Sequence, residues 1–242
     1  MDQETYDYLI PIIIVITICI LSYLYSLKRI NIQGMLDNHY YINLDHRKDR
    51  NESTIKELRK LGIHNPHRFS AIKKDNGAIG CCMSHIEVLK SARGRGLSYV
   101  TIFEDDILFL DSKETLEKLD RIVNSNISWD VIILGGNNKL PYERINEDCI
   151  KVNNCQTTTS YIVKQSYYDT LIDHWQKGLH KLIETKDTSK DTSKYALDQY
   201  WKILQKKDNF LLITPVNVVQ RESYSDIEEM NVNYVDVMKN IK

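Results

Sequence analysis

The chain lacks the cysteine pairs from which structural metal sites are usually built. Its 242 residues include five cysteines, and no two of them form a C-x-x-C pair. Structural zinc sites usually contain such pairs, so the sequence argues against one. Cys149 and Cys155 are close in sequence, but proximity alone does not predict a disulfide, and reduced thiols are the favoured interpretation.

The chain also lacks an excess of charge of either sign. The formal net charge is -1, with 32 basic and 33 acidic residues interspersed along the sequence. A nucleic-acid-binding domain usually carries a basic patch or stripe, and the sequence shows none. The composition therefore predicts no nucleic-acid partner.

One stretch near the N-terminus contains no charged residue. Residues 8–27 are uncharged, and most of 12–21 is aliphatic. A helix of that length crosses a hydrocarbon core of about 30 Å. The acidic start is unlike that of a cleaved signal peptide, and the stretch lacks the polar face of a core helix. Residues 1–30 are therefore predicted to form a tail and a single-pass transmembrane anchor.

The nearest basic residues predict the orientation of that anchor. Lys28 and Arg29 follow the uncharged stretch, and no Lys or Arg precedes it. The positive-inside rule then favours the cytosolic side of the membrane for the rest of the chain. After a predicted connector at residues 31–38, residues 39–242 are enough for one well-buried domain.

The sequence after residue 38 alternates between strand-like and helix-like patterns. The predicted strands are 39–44, 68–72, 99–103, 129–134, 158–163 and 210–219, and the predicted helices are 50–61, 78–92, one from 112, 167–179 and 196–207. The polar segment 137–156 is predicted as an irregular substrate-facing loop, and the charged repeat within 181–194 as a surface loop. This alternation predicts an α/β sandwich with a largely parallel central sheet.

Three consecutive acids end one of the predicted strands. Glu104, Asp105 and Asp106 directly follow the apolar run 99–103. Buried carboxylates are costly unless a cation neutralises them, and open α/β sheets bind ligands beyond the carboxyl ends of their strands. Strand alternation would place Glu104 and Asp106 on one face and Asp105 on the other. A divalent cation that also binds a phosphate suits this position. The sequence therefore predicts an enzyme that acts on a nucleotide-linked substrate.

Several motifs surround this acidic strand end in a fixed order. They are Asn43-Leu44-Asp45-x-Arg47-x-Asp49-Arg50, Gly77-Ala78-Ile79-Gly80-Cys81, Ser84-His85, the acids at 104–106, Thr158-x-x-Tyr161, Asp198, Gln220 and Ser225-Asp226. In this order and spacing the sequence resembles glycosyltransferase family 25, which includes lipooligosaccharide and collagen galactosyltransferases. The resemblance covers nearly everything from Tyr40 to Glu228.

The resemblance implies a GT-A-type fold and a metal-dependent, inverting transfer of a hexose from a UDP-sugar. Glu104 and Asp106 would hold a Mn²⁺ or Mg²⁺ ion, which neutralises the leaving diphosphate. The expected hexose is galactose or glucose, two sugars that differ at a single hydroxyl. A glycan, a lipid-linked saccharide and hydroxylysine in a collagen-like protein all stay open as acceptors.

The resemblance also implies roles for individual residues. The expected donor contacts are Asn43, Leu44, Arg47, Arg50, Gly77, His85, Glu104, Asp105, Gln220, Ser225 and Asp226. Asn43 would face a uracil edge, and Arg47 or Arg50 would reach phosphate. Asp198 is the expected catalytic base, because inversion needs a group that takes the proton of the acceptor hydroxyl. Ala196 replaces a proline of the family pattern, so a plain helix N-terminal acid stays an alternative for Asp198.

Two other functions are alternatives to sugar transfer. A non-catalytic relative that binds a nucleotide sugar or a glycan would keep the fold, but it would not need the acidic cluster. A phosphatase with an aspartyl nucleophile is disfavoured, because Glu104 stands where the nucleophilic Asp would be expected.

Overall fold

A computed structural model describes residues 3–185, 194–227 and 230–240. The chain divides into two units, Met1–Asn31 and Ile32–Lys242. Most of the charged repeat that was predicted as a surface loop, residues 186–193, lies outside the described residues.

The described helices and strands alternate through the second unit. The helices are α1 Gln3–Lys28, α2 Ile32–Asp37, α3 Lys48–Arg59, α4 Gly77–Gly94, α5 Ser112–Val123, α6 Tyr168–Thr185, α7 Leu197–Tyr200, α8 Lys202–Gln205 and α9 Val235–Lys239. The strands are β1 His39–Asn43, β2 Arg68–Ser70, β3 Tyr99–Glu104, β4 Ile107–Phe109, β5 Val131–Asn138, β6 Tyr142–Arg144, β7 Cys149–Val152, β8 Cys155–Lys164, β9 Phe210–Ile213, β10 Val218–Gln220, β11 Ser223–Ser225 and β12 Met230–Val232.

The first unit contains α1. Residues 8–27, predicted as a membrane-spanning helix, are helical. Among the helices that the structure describes, none combines the length and the apolar character needed to cross a membrane. The predicted transmembrane anchor is therefore not supported, and the cytosolic location of the second unit stays a prediction.

A sheet of eight strands forms the centre of the second unit. Within the described residues the strand order is β2-β1-β3-β8-β5-β9-β7-β6. β1 is parallel to β2 and β3, and β5 is parallel to β9. β8 and β7 run antiparallel to both of their neighbours. Six of these eight described strands therefore point one way, which confirms the predicted α/β fold with a mostly parallel sheet.

The sheet is buried because its strands carry apolar residues on both faces. All eight residues of β5 are buried, so both faces of the sheet are covered there. On one face Val88 and Leu89 of α4 join Val100 and Ile102 of β3 in a single core cluster. Full burial of such a side chain stabilises the fold by about 1.5–3 kcal/mol. This packing fixes α4 against β3, the strand that ends at the first of the three acids.

Three predicted segments differ in the structure. The predicted connector at 31–38 forms α2, which buries Met35 and Leu36 and so belongs to the folded unit. The predicted loop at 137–156 contains β6, β7 and the start of β8, because Ile150 and Val152 are fully buried. The predicted strand at 210–219 splits into β9 and β10 around Pro215, which has no N–H to donate to a ladder.

The N-terminus of α4 approaches the preceding loop closely. The side chain of Asn76 caps the helix by accepting hydrogen bonds from the backbone N–H groups of Ala78 and Ile79 at 3.0 and 3.3 Å. A methyl group at Gly80 would stand 2.4 Å from the carbonyl oxygen of Ile72. Only glycine, which has no Cβ, fits at this position.

We expect Gly80→Ala to destabilise the fold by ~1–3 kcal/mol, because the new methyl group forces the Ile72 backbone away. Gly94→Ala is the matched control on the same helix, since a methyl group at Gly94 meets nothing within 4 Å. Chemical denaturation of both variants measures the difference. Equal stability of the two variants would contradict the proposed contact.

Candidate functional site

The carboxyl ends of β1 and β3 border a cavity of about 760 Å³. Open α/β sheets bind ligands at this edge. Every predicted site residue except Asn43 and Arg47 lines the cavity: Leu44, Arg50, Gly77, His85, Glu104, Asp105, Asp106, Asp198, Gln220, Ser225 and Asp226. The fold therefore brings together residues that lie far apart in sequence.

Asp105 is neutralised from within the protein. Its carboxylate accepts hydrogen bonds from Asn43 Nδ2 at 2.7 Å and from Arg50 NH1 at 2.8 Å. Burial raises the pKa of Asp105, while the Arg50 charge and these hydrogen bonds act in the opposite direction. Arg50 also donates to Ser223 Oγ and to the backbone oxygen of Tyr224, each at 2.8 Å. Arg50 thus connects the acidic strand end to the C-terminal segment, residues 220–227.

Asp106 is less well compensated than Asp105. Its Oδ2 lies 3.5 Å from Arg50 NH1 and accepts a long hydrogen bond from Gln220 Nε2 at 3.4 Å. Its Oδ1 is buried and has no hydrogen-bond partner within the described part of the chain. Burial and the neighbouring Glu104 charge raise the pKa of Asp106 to about 7, despite the opposing Arg50 charge. Arg50 therefore compensates the charge of Asp106 only in part.

Glu104 ends β3 and contacts two side chains from other elements. The hydroxyl of Thr158 donates to Glu104 Oε1 at 2.6 Å, and His85 Nε2 lies 3.4 Å from the same oxygen. Burial raises the pKa of Glu104, but the imidazole, the hydroxyl and the Arg50 charge outweigh burial and lower it overall. Glu104 is thus held in its ionised form.

The strand alternation predicted for the three acids does not extend beyond Glu104. Asp105 and Asp106 lie in a turn between β3 and β4, so all three acids line the cavity. Carboxylates are the ligands that hard divalent cations prefer. The unpartnered Asp106 oxygen and the ionised Glu104 fit the Mn²⁺ or Mg²⁺ ion that the sequence predicted.

Asp198 lies in α7 and faces the same cavity. Its Oδ2 accepts hydrogen bonds from the backbone N–H of Thr157 at 3.0 Å and from Gln199 Nε2 at 3.2 Å. Burial raises the pKa of Asp198, and Lys202 and the Thr157 N–H partly offset this effect. A carboxylate with a raised pKa is a stronger base than an exposed one.

Thr157 has an unusual backbone conformation beside Asp198. Its φ is +69°, which is a strained value for a β-branched residue. This conformation directs the Thr157 N–H at the Asp198 carboxylate. The sequence pattern gave no sign of it, because nothing in a threonine-rich strand marks one residue for positive φ.

Two predicted donor contacts have other partners in the structure. Asn43 donates to Arg47 O and to Asp105 and accepts from Arg68, so its side chain supports the acidic strand end. Arg47 pairs with Asp49 and Asp226. Neither residue lines the cavity, and the roles of Asn43 and Arg47 as donor contacts stay predictions.

The C-terminal segment forms another wall of the cavity. Asp226 pairs with Arg47 and lies 3.3 Å from His46 Nε2, while Ser225 and Gln220 also line the space. A methyl group at Gly77 would stand 3.0 Å from Ile227 Cγ1, so this segment reaches the start of α4. Gly77 and Asp226 are thus neighbours, and Gln220 and Ser225 line the same cavity.

The sequence did not single out one group of possible metal ligands. In the described residues Cys81, His85 and Glu104 place one ligand atom each within 4.8 Å of one another. Burial, and next the Glu104 charge, raise the pKa of Cys81 well above its ordinary value. The signal that could have found this group is the i, i+4 spacing of Cys81 and His85 on one helix face.

Comparisons with known proteins agree with the motifs. The sequence model of a family described as "Glycosyltransferase family 25 (LPS biosynthesis protein)" matches residues 75–197, just over half of the chain. A rat protein named "Probable inactive glycosyltransferase 25 family member 3" is 33% identical over 86 residues, which are 35% of this chain and 15% of that protein. The human "Inactive glycosyltransferase 25 family member 3" is 36% identical over 76 residues, 31% of this chain and 12% of its own length.

Solved structures with a similar backbone are more distant. A glycosyltransferase involved in glycosylation of the major capsid of PBCV-1 has a TM-score of 0.46 and 8% identity, over 79% of this chain and 95% of that one. A Drosophila β-1,4-galactosyltransferase 7 in complex with manganese, UDP-Gal and xylobiose has a TM-score of 0.38 and 8% identity, over 84% of this chain and 74% of that one. At these low scores neither likeness bears on function. The family match over residues 75–197, which contains the acidic strand end, shows that the chain belongs to glycosyltransferase family 25.

Proposed function

We propose that the chain is an active GT-A-type glycosyltransferase that moves a hexose, galactose or glucose, from a UDP-sugar to an acceptor hydroxyl with inversion. The acceptor is a glycan, a lipid-linked saccharide or hydroxylysine of a collagen-like protein. The observation that carries the proposal is one cavity bordered both by the acids Glu104, Asp105 and Asp106 and by the buried carboxylate of Asp198.

The acidic strand end suits the diphosphate of the donor. Glu104 and Asp106 would hold the Mn²⁺ or Mg²⁺ ion, since Asp106 Oδ1 has no partner within the described part of the chain. When bound, such an ion neutralises the charge that develops on the leaving diphosphate. Arg50 would keep its ion pair with Asp105 while the metal ion and the donor are bound, so the charge of Asp105 would stay compensated. Thr158 orients Glu104 through its hydroxyl.

Asp198 supplies the base that an inverting transfer needs. As the acceptor oxygen forms its bond to the anomeric carbon, the bond from that carbon to the UDP oxygen breaks, and the hydroxyl proton passes to the Asp198 carboxylate. Thr157 and Gln199 both bind Oδ2 and so fix the orientation of the carboxylate. The strain at Thr157 is the structural cost of this orientation.

A second candidate function is a non-catalytic protein that binds a nucleotide sugar or a glycan. The observation in its favour is that the curated rat and human relatives are named inactive, although this chain covers only 15% and 12% of their lengths.

UDP release from a panel of UDP-sugars, with and without Mn²⁺, discriminates between the two functions. Metal-dependent UDP binding without transfer or donor hydrolysis would favour the second.

We expect Asp106→Asn to lower donor turnover at least about 100-fold, because loss of a metal ligand removes several kcal/mol of charge stabilisation. Asp173→Asn, which changes an exposed acid on α6, is the matched control and keeps full turnover. Turnover is measured as UDP release in Mn²⁺. Unchanged turnover in Asp106→Asn would refute the metal assignment.

The same variant is expected to change the pH dependence of stability. Asp106 has an ordinary pKa of 3.8 when unfolded and a pKa of about 7 in the fold, so its neutral form contributes stability that is lost as pH rises through about 7. Asp106→Asn abolishes this loss. Without metal, the variant should gain thermal stability relative to wild type between pH 5 and pH 8. A difference in Tm that is equal at both pH values argues against a buried, uncompensated Asp106.

Asp198→Asn should slow transfer to the acceptor about 10²–10⁴-fold, the range for loss of a general base. The amide oxygen still accepts from the Thr157 N–H, so the local structure and UDP affinity should be preserved. Single-turnover transfer and equilibrium UDP binding are measured side by side. If both fall by the same factor, Asp198 belongs to the donor site instead.

A further inference from the structure

Cys81, His85 and Glu104 form a cluster of which the proposed sugar transfer uses only Glu104. Cys81 and His85 lie one helical turn apart on α4, and Glu104 ends the neighbouring strand β3. One ligand atom of each lies within 4.8 Å of the other two. The cluster combines a thiol, an imidazole and a carboxylate, and this mixture differs from the all-oxygen set that Mn²⁺ and Mg²⁺ prefer.

His85 carries the observation that points to a ligand. The residue is fully buried, and its Nε2 has no hydrogen-bond partner within the described part of the chain. The other ring nitrogen, Nδ1, lies 2.7 Å from the hydroxyl oxygen of Tyr161. A histidine that binds a metal through one nitrogen usually makes such a hydrogen bond with the other. The same Nε2 lies 3.4 Å from Glu104 Oε1, so one cation could contact both atoms.

The distance between His85 and Glu104 suits a tetrahedral ion. Bonds of about 2.0–2.2 Å from Zn²⁺ to a nitrogen and an oxygen set those two atoms about 3.4 Å apart. His85 Nε2 and Glu104 Oε1 are 3.4 Å apart. Thr158 donates to the same carboxylate at 2.6 Å and holds it in place. Coordination deprotonates a thiol outright, so the thiol form of Cys81 in the absence of metal is compatible with binding.

We propose that Cys81, His85 and Glu104 form a binding site for Zn²⁺, with a fourth position open to the cavity. All three residues line that cavity, which gives the ion an entry path and leaves room for water or a substrate oxygen. Three protein ligands and one open position are the pattern of reactive zinc sites, whereas structural zinc sites are closed by four. If the proposed function holds, Glu104 is shared with the Mn²⁺ or Mg²⁺ position, so the two ions compete for one carboxylate.

Calorimetric titration of Zn²⁺ alone into the full chain tests the site. We expect one ion per chain to bind to wild type and to Cys82→Ala, whose thiol faces the core and lies 3.8 Å from the backbone oxygen of Trp175. Cys81→Ser and His85→Gln should each weaken Zn²⁺ binding at least about tenfold, since even partners outside the metal's ligand shell are worth about 10–100-fold. Equal affinity in wild type and in both variants overturns the proposal.

A spectroscopic measurement keeps the test valid if a variant fails to fold. Co²⁺ alone, added to wild type and to Cys82→Ala, should produce the charge-transfer absorption of a thiolate–cobalt bond. Absence of this absorption in wild type, or its loss in Cys82→Ala, overturns the assignment of Cys81. Neither measurement needs a donor or turnover, so failure of the zinc site and failure of sugar transfer are distinguishable.

Discussion

The burial of three adjacent carboxylates at the end of β3 is the constraint on which the surrounding structure depends. Two like charges about 4 Å apart repel by about 4 kcal/mol at the effective dielectric of a protein surface. A single hydrogen bond contributes only about 1 kcal/mol. The cluster therefore needs cations, and Arg50 between Asp105 and Asp106 is the cation that the chain itself supplies.

The three acids are compensated unequally, and that inequality assigns their roles. Asp105 has Arg50 and Asn43, which makes it part of the scaffold. Glu104 has a hydroxyl and an imidazole nearby and stays ionised. Asp106 keeps a buried oxygen without a partner in the described residues and a raised pKa. The proposed cation would therefore bind at Asp106, where it would also contact the diphosphate of the proposed donor.

The local sequence pattern was enough to predict most helices and strands. The apolar runs of β3 and β5 and the capped start of α4 each depend on residues that are adjacent in sequence. The pattern was also enough to place Glu104, Asp106 and Asp198 at one cavity through the family motifs. The sequence pattern did not predict hydrogen bonds and ion pairs between residues that are distant in sequence. Asn43 meets Asp105 across 62 positions and Arg47 meets Asp226 across 179, and no local pattern shows that these partners satisfy each other. The strands β6 and β7 were missed because the buried Ile150 and Val152 stand among polar residues, which hides the apolar pattern of a strand.

Equilibrium titration of UDP with and without Mn²⁺ tests the central claim most directly, because it asks whether cation and diphosphate share the acidic strand end. We expect Mn²⁺ to strengthen UDP binding by about tenfold or more, and UDP to strengthen Mn²⁺ binding by the same factor, as linkage requires. UDP affinity that is identical with and without Mn²⁺ would contradict it.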